Sequence, residues 1–173
     1  MSTRQAQDKQ KITPFLWFND NAEEAAEFYV SVFSAKFPDS KILNISRYDE
    51  AGAKASGRPV GSAMVVAFTL NGQEFTALNG GPVFTFNESV SFVINCESQE
   101  EVDHFWEKLS AVPESEQCGW LKDKYGLSWQ VVPRQLGEML GDKDPQKASR
   151  VMQAMLQMKK IDVAKLQEAY DRK

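Results

Sequence analysis

The sequence predicts an α+β fold made of two tandem βαβββ modules followed by a C-terminal helical extension. Three observations predict it: residues recur at one offset between the two halves, glycine-containing hairpin turns stand at matching places, and an amphipathic helix follows the first strand of each half. Repeats of this kind pack together to bury one core. We assign residues 1–11 to a disordered polar leader, 12–82 to the first module, 83–133 to the second and 134–173 to C-terminal helices.

The repeat is visible in matched residues. Asn19 and Asn95 lie 76 positions apart, and so do the other matched residues of the first strand and helix. Between the two hairpins the spacing is 54 positions, as in Gly72 and Gly126. The second spacing is shorter because the first half carries an additional segment, 49–61. Its glycine and proline residues predict a mobile loop.

Hydrophobic period and turn signals define the elements of the first half. Asn21, followed three residues later by Glu24, predicts the N-terminal cap of the helix. Asn71-Gly72 is the strongest short signal for a β-hairpin. The predicted strands are 12–18, 41–48, 62–70 and 74–78.

The second half repeats the pattern. Ser98 and Glu101 predict a capping box at the start of its helix, and Tyr125-Gly126 predicts the turn of its hairpin. The predicted strands are 89–95, 120–124 and 127–132, with a weakly marked outer strand around 112–117. The predicted C-terminal helices are 134–140, one capped by Asp144 with Pro145 in its first turn, and one starting at Asp162.

Composition excludes several function classes. The 173 residues include 20 Lys or Arg against 24 Asp or Glu, a net charge of −4, so there is no basic surplus to neutralise nucleic-acid phosphates. The longest apolar run, 63–68, is too short to cross a bilayer. The polar start predicts a cytoplasmic protein without a signal peptide. Two cysteines are too few for a disulfide scaffold.

Three motifs carry a resemblance to a known family. They are ITPFLWF at 12–18 leading into AEEA at 22–25, FTALNGGP at 75–82, and CGWLKD at 118–123 with GLSWQ at 126–130. Over residues 12–172 the chain resembles the PhnB-like branch of the vicinal oxygen chelate superfamily, whose members are labelled 3-demethylubiquinone-9 3-methyltransferase domain proteins. Glyoxalase I, bleomycin-resistance proteins and extradiol dioxygenases belong to the same superfamily. The resemblance implies a curved sheet in each half, facing the other half or a partner subunit across a cupped pocket.

The resemblance also implies where a metal would be held. Carried over by position, the four ligand sites of the superfamily fall near Thr13, Thr76, Ser89 and Gln130. Metal-binding members have His, Glu or Gln at these sites. Three hydroxyls and one amide are poor ligands for Zn²⁺, Fe²⁺ or Mn²⁺. We therefore predict no tightly bound metal and no cofactor.

The same strands predict a pocket lining. Alternation along the first strand places Thr13, Phe15 and Trp17 on one face, and aromatic walls with few hydrogen-bonding groups suit a flat or apolar organic ligand. A sealed core with satisfied hydroxyls explains these residues equally well. The predicted ligand-binding residues are Thr13, Phe15, Trp17, Thr76, Asn79, Ser89, Trp120, Lys122 and Gln130.

The candidate catalytic residues are Cys118 and Gln130. Cys118 stands at the start of a strand that could line the pocket, and Lys122 would share its face if the strand extends back that far. Cys96 is interpreted as a small buried hydrophobe, and His104, the one histidine, as a structural residue beside an apolar stripe.

These observations predict a binding or sequestering protein that holds a small apolar or aromatic molecule without metal. The first alternative is a lyase, isomerase or transferase of the same superfamily, in which Gln130 and Ser89 orient a carbonyl and Cys118 assists proton transfer. The second is methylation of a quinone-like phenol, although no glycine-rich strand-to-helix motif for a nucleotide cofactor is present. A stripe of Met152, Met155 and Met158, with the pairing common in the superfamily, predicts a homodimer.

Overall fold

The computed structural model describes residues 10–172. Contacts divide the chain into two compact units, with the boundary between Thr85 and Phe86. The polar leader predicted for 1–11 lies almost entirely outside the described residues. Each unit contains one sheet and at least one helix packed on it, so the α+β class and the tandem modules are confirmed.

The first unit is a four-stranded sheet with one long helix against it. Its strand order is β1-β4-β3-β2, in which β1 and β4 are parallel and the other pairs are antiparallel. The helix buries an alanine- and aromatic-rich stripe on the sheet. The elements are β1 (Phe15–Phe18), α1 (Ala22–Ser34), β2 (Lys41–Arg47), α2 (Glu50–Ser56), β3 (Ala63–Leu70) and β4 (Gln73–Asn79).

The second unit has a three-stranded sheet, ordered β5-β7-β6, with β5 and β7 parallel. One helix packs on this sheet, and three further helices form their own hydrophobic cluster, to which Met155 and Met158 of the methionine stripe contribute. The elements are β5 (Ser91–Cys96), α3 (Gln99–Leu109), β6 (Trp120–Lys122), β7 (Ser128–Pro133), α4 (Arg134–Leu140), α5 (Pro145–Met155) and α6 (Val163–Asp171).

Two predicted segments differ from the structure. The loop predicted for 49–61 contains α2, because Asp49 caps it by accepting a hydrogen bond from the Gly52 amide at 2.7 Å and Gly57 ends it at φ 71°. The outer strand predicted around 112–117 is replaced by a 3₁₀ turn over Pro113–Ser115. Proline lacks the amide hydrogen that a strand would use.

The helix starts were predicted correctly in one module and wrongly in the other. Ser98 accepts a hydrogen bond from the Glu101 amide at 3.3 Å, the first bond of the capping box, while the Glu101 carboxylate accepts from the Glu97 amide at 2.8 Å, one residue before the predicted partner. Asn21 makes no side-chain cap for α1. The Ala22 amide donates instead to Oδ1 of Asn79 at 2.8 Å, so the cap comes from β4, 57 residues away.

Both hairpins are present, with different turns. Asn71 and Gly72 take left-handed conformations, φ 50° and 77°, which make the two-residue turn between β3 and β4. The second hairpin is closed by a five-residue loop around the buried carboxylate of Asp123. That carboxylate accepts hydrogen bonds from the backbone amides of Tyr125 and Leu127 and from Trp129 Nε1, at 2.8–3.0 Å. Within residues 10–172, no helix is both long and apolar enough to cross a membrane.

Candidate functional site

Each sheet has one face covered by a helix and one face that this helix does not cover, here called the open face. In the first sheet, Leu16, Phe18, Val66 and Ala77 are buried on the helix side. The alternate residues form the first open face. Residues paired across neighbouring strands point to the same face, so this face carries Phe15, Trp17, Val65, Thr76 and Leu78.

The Trp17 indole is held in place on the first open face. Its Nε1 donates a hydrogen bond to the Gly81 carbonyl at 2.8 Å, and the Phe84 ring contacts it edge-on at 5.0 Å between centroids. A Cβ at Gly80 would stand 2.2 Å from the indole Cζ2. Gly80 therefore leaves room for the Trp17 ring, which a side chain at this position would displace.

Phe15, Trp17 and Thr76 share the first open face, whereas Asn79 points to the other face and Thr13 stands before β1 begins. Thr13 precedes β1 and is half-buried. The Asn79 side chain is on the helix side, where Oδ1 accepts from Ala22 and Nδ2 donates to the Ala63 carbonyl at 2.9 Å. Both ends of the amide are thus used in the fold, and Asn79 takes no part in the first open face.

In the second sheet, the residues buried on the helix side are Ile94, Cys96, Leu121, Trp129 and Val131. Strand register puts the alternate residues on the second open face in two rows. The first row is Val93, Gln130 and Trp120, and the second is Ser91, Ser128 and Lys122. The pairing of β6 with β7 therefore brings Trp120, Lys122, Ser128 and Gln130 to one face.

Two polar contacts lie on the second open face. Gln130 Nε2 donates a hydrogen bond to Ser91 Oγ at 2.9 Å. The Lys122 ammonium pairs with the Glu88 carboxylate, and this hydrogen bond lowers the pKa of Glu88. Ser89 is exposed and donates to Asn87 Oδ1 in the segment before β5.

Ser91 was missed by sequence reasoning, although a signal for it exists. Ile94 and Cys96 are buried on the helix side of β5, so alternation assigns Ser91 and Val93 to the other face. The parallel pairing Phe15 with Thr76 in the first sheet corresponds to Ser91 with Ser128 in the second. The spacing of 54 positions between the hairpins would match Thr76 to Gln130. By strand pairing, the equivalent of Thr76 is Ser128, two residues earlier, so the spacing gave the correct face but the wrong register.

Cys118 does not stand in an extended strand. Its φ is 52° and that of Gly119 is 87°, and their amides donate to the carbonyls of Met158 and Lys159 at 2.8 Å. The strand β6 begins only at Trp120, so alternation does not carry Cys118 onto the face of Lys122.

Cys96 and His104 both lie in packed surroundings within the second unit. Cys96 is buried as predicted, and burial, with the nearby carboxylates of Glu101 and Glu97, raises its pKa to about 12. His104 is half-buried on α3 with its ring edge-on to Phe105.

The residues at the inferred metal positions do not fit the divalent metal that the fold family implies. Thr13, Thr76 and Ser89 offer neutral hydroxyls, and the Gln130 amide already donates to Ser91. Zn²⁺, Fe²⁺ and Mn²⁺ are held by imidazole, thiolate or carboxylate groups. Among residues 10–172, no three His, Cys, Asp or Glu side chains form a group that could hold a metal.

Comparison with solved structures gives the same fold. A PhnB protein from Bacillus cereus is 41% identical, with 72% of this chain and 99% of that chain covered and a TM-score of 0.58. Protein PA1353 from Pseudomonas aeruginosa (18% identity, 72% and 97% covered) and the fosfomycin resistance protein FosX from Listeria monocytogenes (16%, 79% and 100%) both have a TM-score of 0.51. At these lower identities the likeness concerns the fold alone.

Family models identify the chain more closely. Residues 10–132 match the family described as 3-demethylubiquinone-9 3-methyltransferase. No curated protein matches the chain. The matched range takes in both sheets and both open faces and stops before the three C-terminal helices. This chain belongs to the PhnB-like, 3-demethylubiquinone-9 3-methyltransferase family.

Proposed function

We propose that this protein binds a small, flat, apolar or aromatic organic molecule against the open faces of its sheets, without a tightly bound metal. The observation that carries the proposal is Phe15, which leaves 60% of its surface in water at the start of the edge strand β1, beside the other residues of the first open face. Covering such a ring with an apolar ligand yields about 25 cal/mol per Å² removed from water.

The neighbours of Phe15 are suited to a planar ligand. Trp17 is fixed by its hydrogen bond and by Phe84, so its ring loses little conformational freedom when a ligand packs near it. Thr76 is in register with Phe15 and adds one hydroxyl among apolar side chains. Apolar walls with a few fixed polar groups are the usual composition of small-molecule sites.

The second open face offers a comparable but more polar surface. Trp120 and Val93 flank Gln130, whose amide is oriented by its bond to Ser91. The polar second row lies two residues along each strand from the first, about 7 Å away, so this face combines an aromatic platform with hydrogen-bonding groups. Both faces lack imidazole, which supports binding that does not depend on metal.

Titration calorimetry of the full-length protein with 2-naphthol, in buffer containing EDTA, tests the proposal. We expect saturable binding that weakens about five- to thirtyfold in Phe15→Ala or in Trp120→Ala, whichever face the ligand uses. Val60→Ala removes a similarly exposed apolar side chain outside the sheets and should leave binding unchanged. Absence of binding, dependence on added metal, or equal weakening by Val60→Ala would contradict the proposal.

Methyl transfer is a second candidate, favoured by the description of the matching family. It requires the protein to bind S-adenosylmethionine, which the same calorimeter measures directly. Measurable binding of S-adenosylmethionine that is lost in the Gln130→Ala variant would favour enzymatic methyl transfer over binding alone. The homodimer and the cytoplasmic location stay predictions, and light scattering of the purified chain checks the first.

A further inference from the structure

Lys122 on the second open face is paired by a carboxylate that belongs to an irregular segment. Its side chain is 22% exposed, whereas that of Glu88 is 61% exposed. Glu88 precedes β5 and is followed by Ser89 and Val90, both exposed. The cation is therefore fixed on the sheet, and its counter-ion reaches it from a solvent-exposed stretch of chain.

Such a pair is easily exchanged for another anion. Glu88 is exposed, so its carboxylate is well solvated when it leaves Lys122, and ion pairs that reach the protein surface contribute little net stability. When Glu88 leaves, its carboxylate returns to water, and Lys122 keeps a partner if an incoming carboxylate takes the same place. The exchange leaves the number of charge-assisted hydrogen bonds unchanged.

The surroundings of Lys122 define what else the incoming molecule would contact. Trp120 lies two residues away on the same strand and face, which separates their Cα atoms by about 7 Å. Val93, which is half-exposed, stands in the row of Trp120. A carboxylate at Lys122 thus places the body of its molecule over an aromatic and an aliphatic side chain.

We propose that Lys122 anchors the anionic group of an aromatic or apolar organic acid, and that Glu88 occupies this anchor as an internal carboxylate when no ligand is bound. The inference rests on the function proposed above and narrows the ligand class to organic acids on the second open face. Gln130 and Ser91, bonded to each other beside Lys122, supply neutral polar contacts next to the anchor.

Two probes of equal shape separate charge from apolar contact. 2-Naphthoate carries a carboxylate and 2-naphthamide carries a neutral amide on the same ring system. We expect the wild-type chain to bind naphthoate more tightly, and we expect this preference to shrink as salt screens the charge. Calorimetry of both probes on the full-length protein measures the preference.

Variants of the pair give opposite results if the inference holds. Glu88→Gln removes the competing carboxylate and should tighten naphthoate about three- to tenfold while leaving naphthamide unchanged. Lys122→Met should abolish the preference, and Lys122→Arg should retain it. Glu138→Gln removes a carboxylate of similar exposure, paired with Arg134 in the same unit, and serves as the matched control.

The outcomes distinguish the two proposals. If neither probe binds to the wild-type chain, the proposed binding function fails and this inference fails with it. If both probes bind equally, or if Glu88→Gln leaves naphthoate affinity unchanged, only the anchor is overturned. Circular dichroism checks that the Lys122→Met variant is folded. If it is not, the difference in naphthoate affinity between Glu88→Gln and Glu138→Gln tests the anchor without it.

Discussion

The two sheets share one plan on their buried faces and differ on their open faces. Phe18 of the first sheet and Ile94 of the second are both buried against a helix, as the repeat predicts. On the open side, the first sheet presents mainly apolar groups around Trp17 and Phe15, while the second presents Ser91, Gln130 and Lys122 around Trp120. Packing constrains the buried faces to mainly apolar residues, so the repeated modules diverge on the faces that the helices leave uncovered.

The two hairpins also differ, because only the second is built around a buried carboxylate, that of Asp123. Replacing Asp123 is expected to have a larger effect on stability than the substitutions at Asn79, Gly80 and Ser98. The Asp123 carboxylate receives three hydrogen bonds in the second hairpin, while a two-residue turn closes the first without any such group. Asp123→Ala leaves these donors unpaired and should lower the free energy of unfolding by about 3 to 5 kcal/mol. Urea denaturation measures it. A loss below 1 kcal/mol would mean that the loop closes without the carboxylate.

Asn79→Ala tests the cap that is unique to the first module. It removes the acceptor of the Ala22 amide and the donor to the Ala63 carbonyl, both buried. We expect a loss of about 2 to 3 kcal/mol in the free energy of unfolding, measured by urea denaturation. Asn21→Ala, at the position where the sequence predicted the cap, is the matched control and should change little, because Asn21 makes no side-chain cap.

Gly80→Ala tests how tightly the first open face is fixed. The added methyl would collide with the Trp17 indole, which must move and lose its bond to Gly81. We expect a loss of about 1 to 3 kcal/mol in the free energy of unfolding, with a changed near-ultraviolet spectrum. Gly126→Ala adds a methyl group that meets no other atom within 4 Å, although the φ of 87° at this position is unfavourable for alanine. It should leave the tryptophan signals of the first unit unchanged.

Ser98→Ala is the smallest expected effect and completes the comparison of helix starts. The cap of α3 is local and solvent-exposed, so its loss should lower the free energy of unfolding by about 1 kcal/mol. The measurement is the same urea titration used for Asn79→Ala. A larger loss than for Asn79→Ala would reverse the order of the two caps and contradict the role given to Asn79.

Sequence reasoning recovered what depends on local pattern and missed what depends on distant partners. The hairpin at Asn71-Gly72 and the capping box at Ser98 were predicted because their signals lie within four residues. The short helix α2 had local signals too, in Asp49 and Gly57, but its glycine content favoured a loop.

The open faces show the same limit. Alternation gave the face of Phe15 and Trp17, since both lie on one strand. The joint face of Trp120 and Gln130, the role of Ser91 and the contact of Lys122 with Glu88 depend on strand register and on a loop. Neither is specified by the spacing of residues along one segment.

The position of Asn79 has a consequence for how the first unit forms. Its side chain joins the start of α1 to β3, and its backbone carbonyl accepts a hydrogen bond from the Tyr48 hydroxyl at 2.8 Å. The first turn of the helix thus acquires its cap only after the last strand of the same unit has docked. Helix and hairpin are cooperative partners in assembly, and amide exchange at Ala22 should report the opening of β4 rather than fraying of the helix itself.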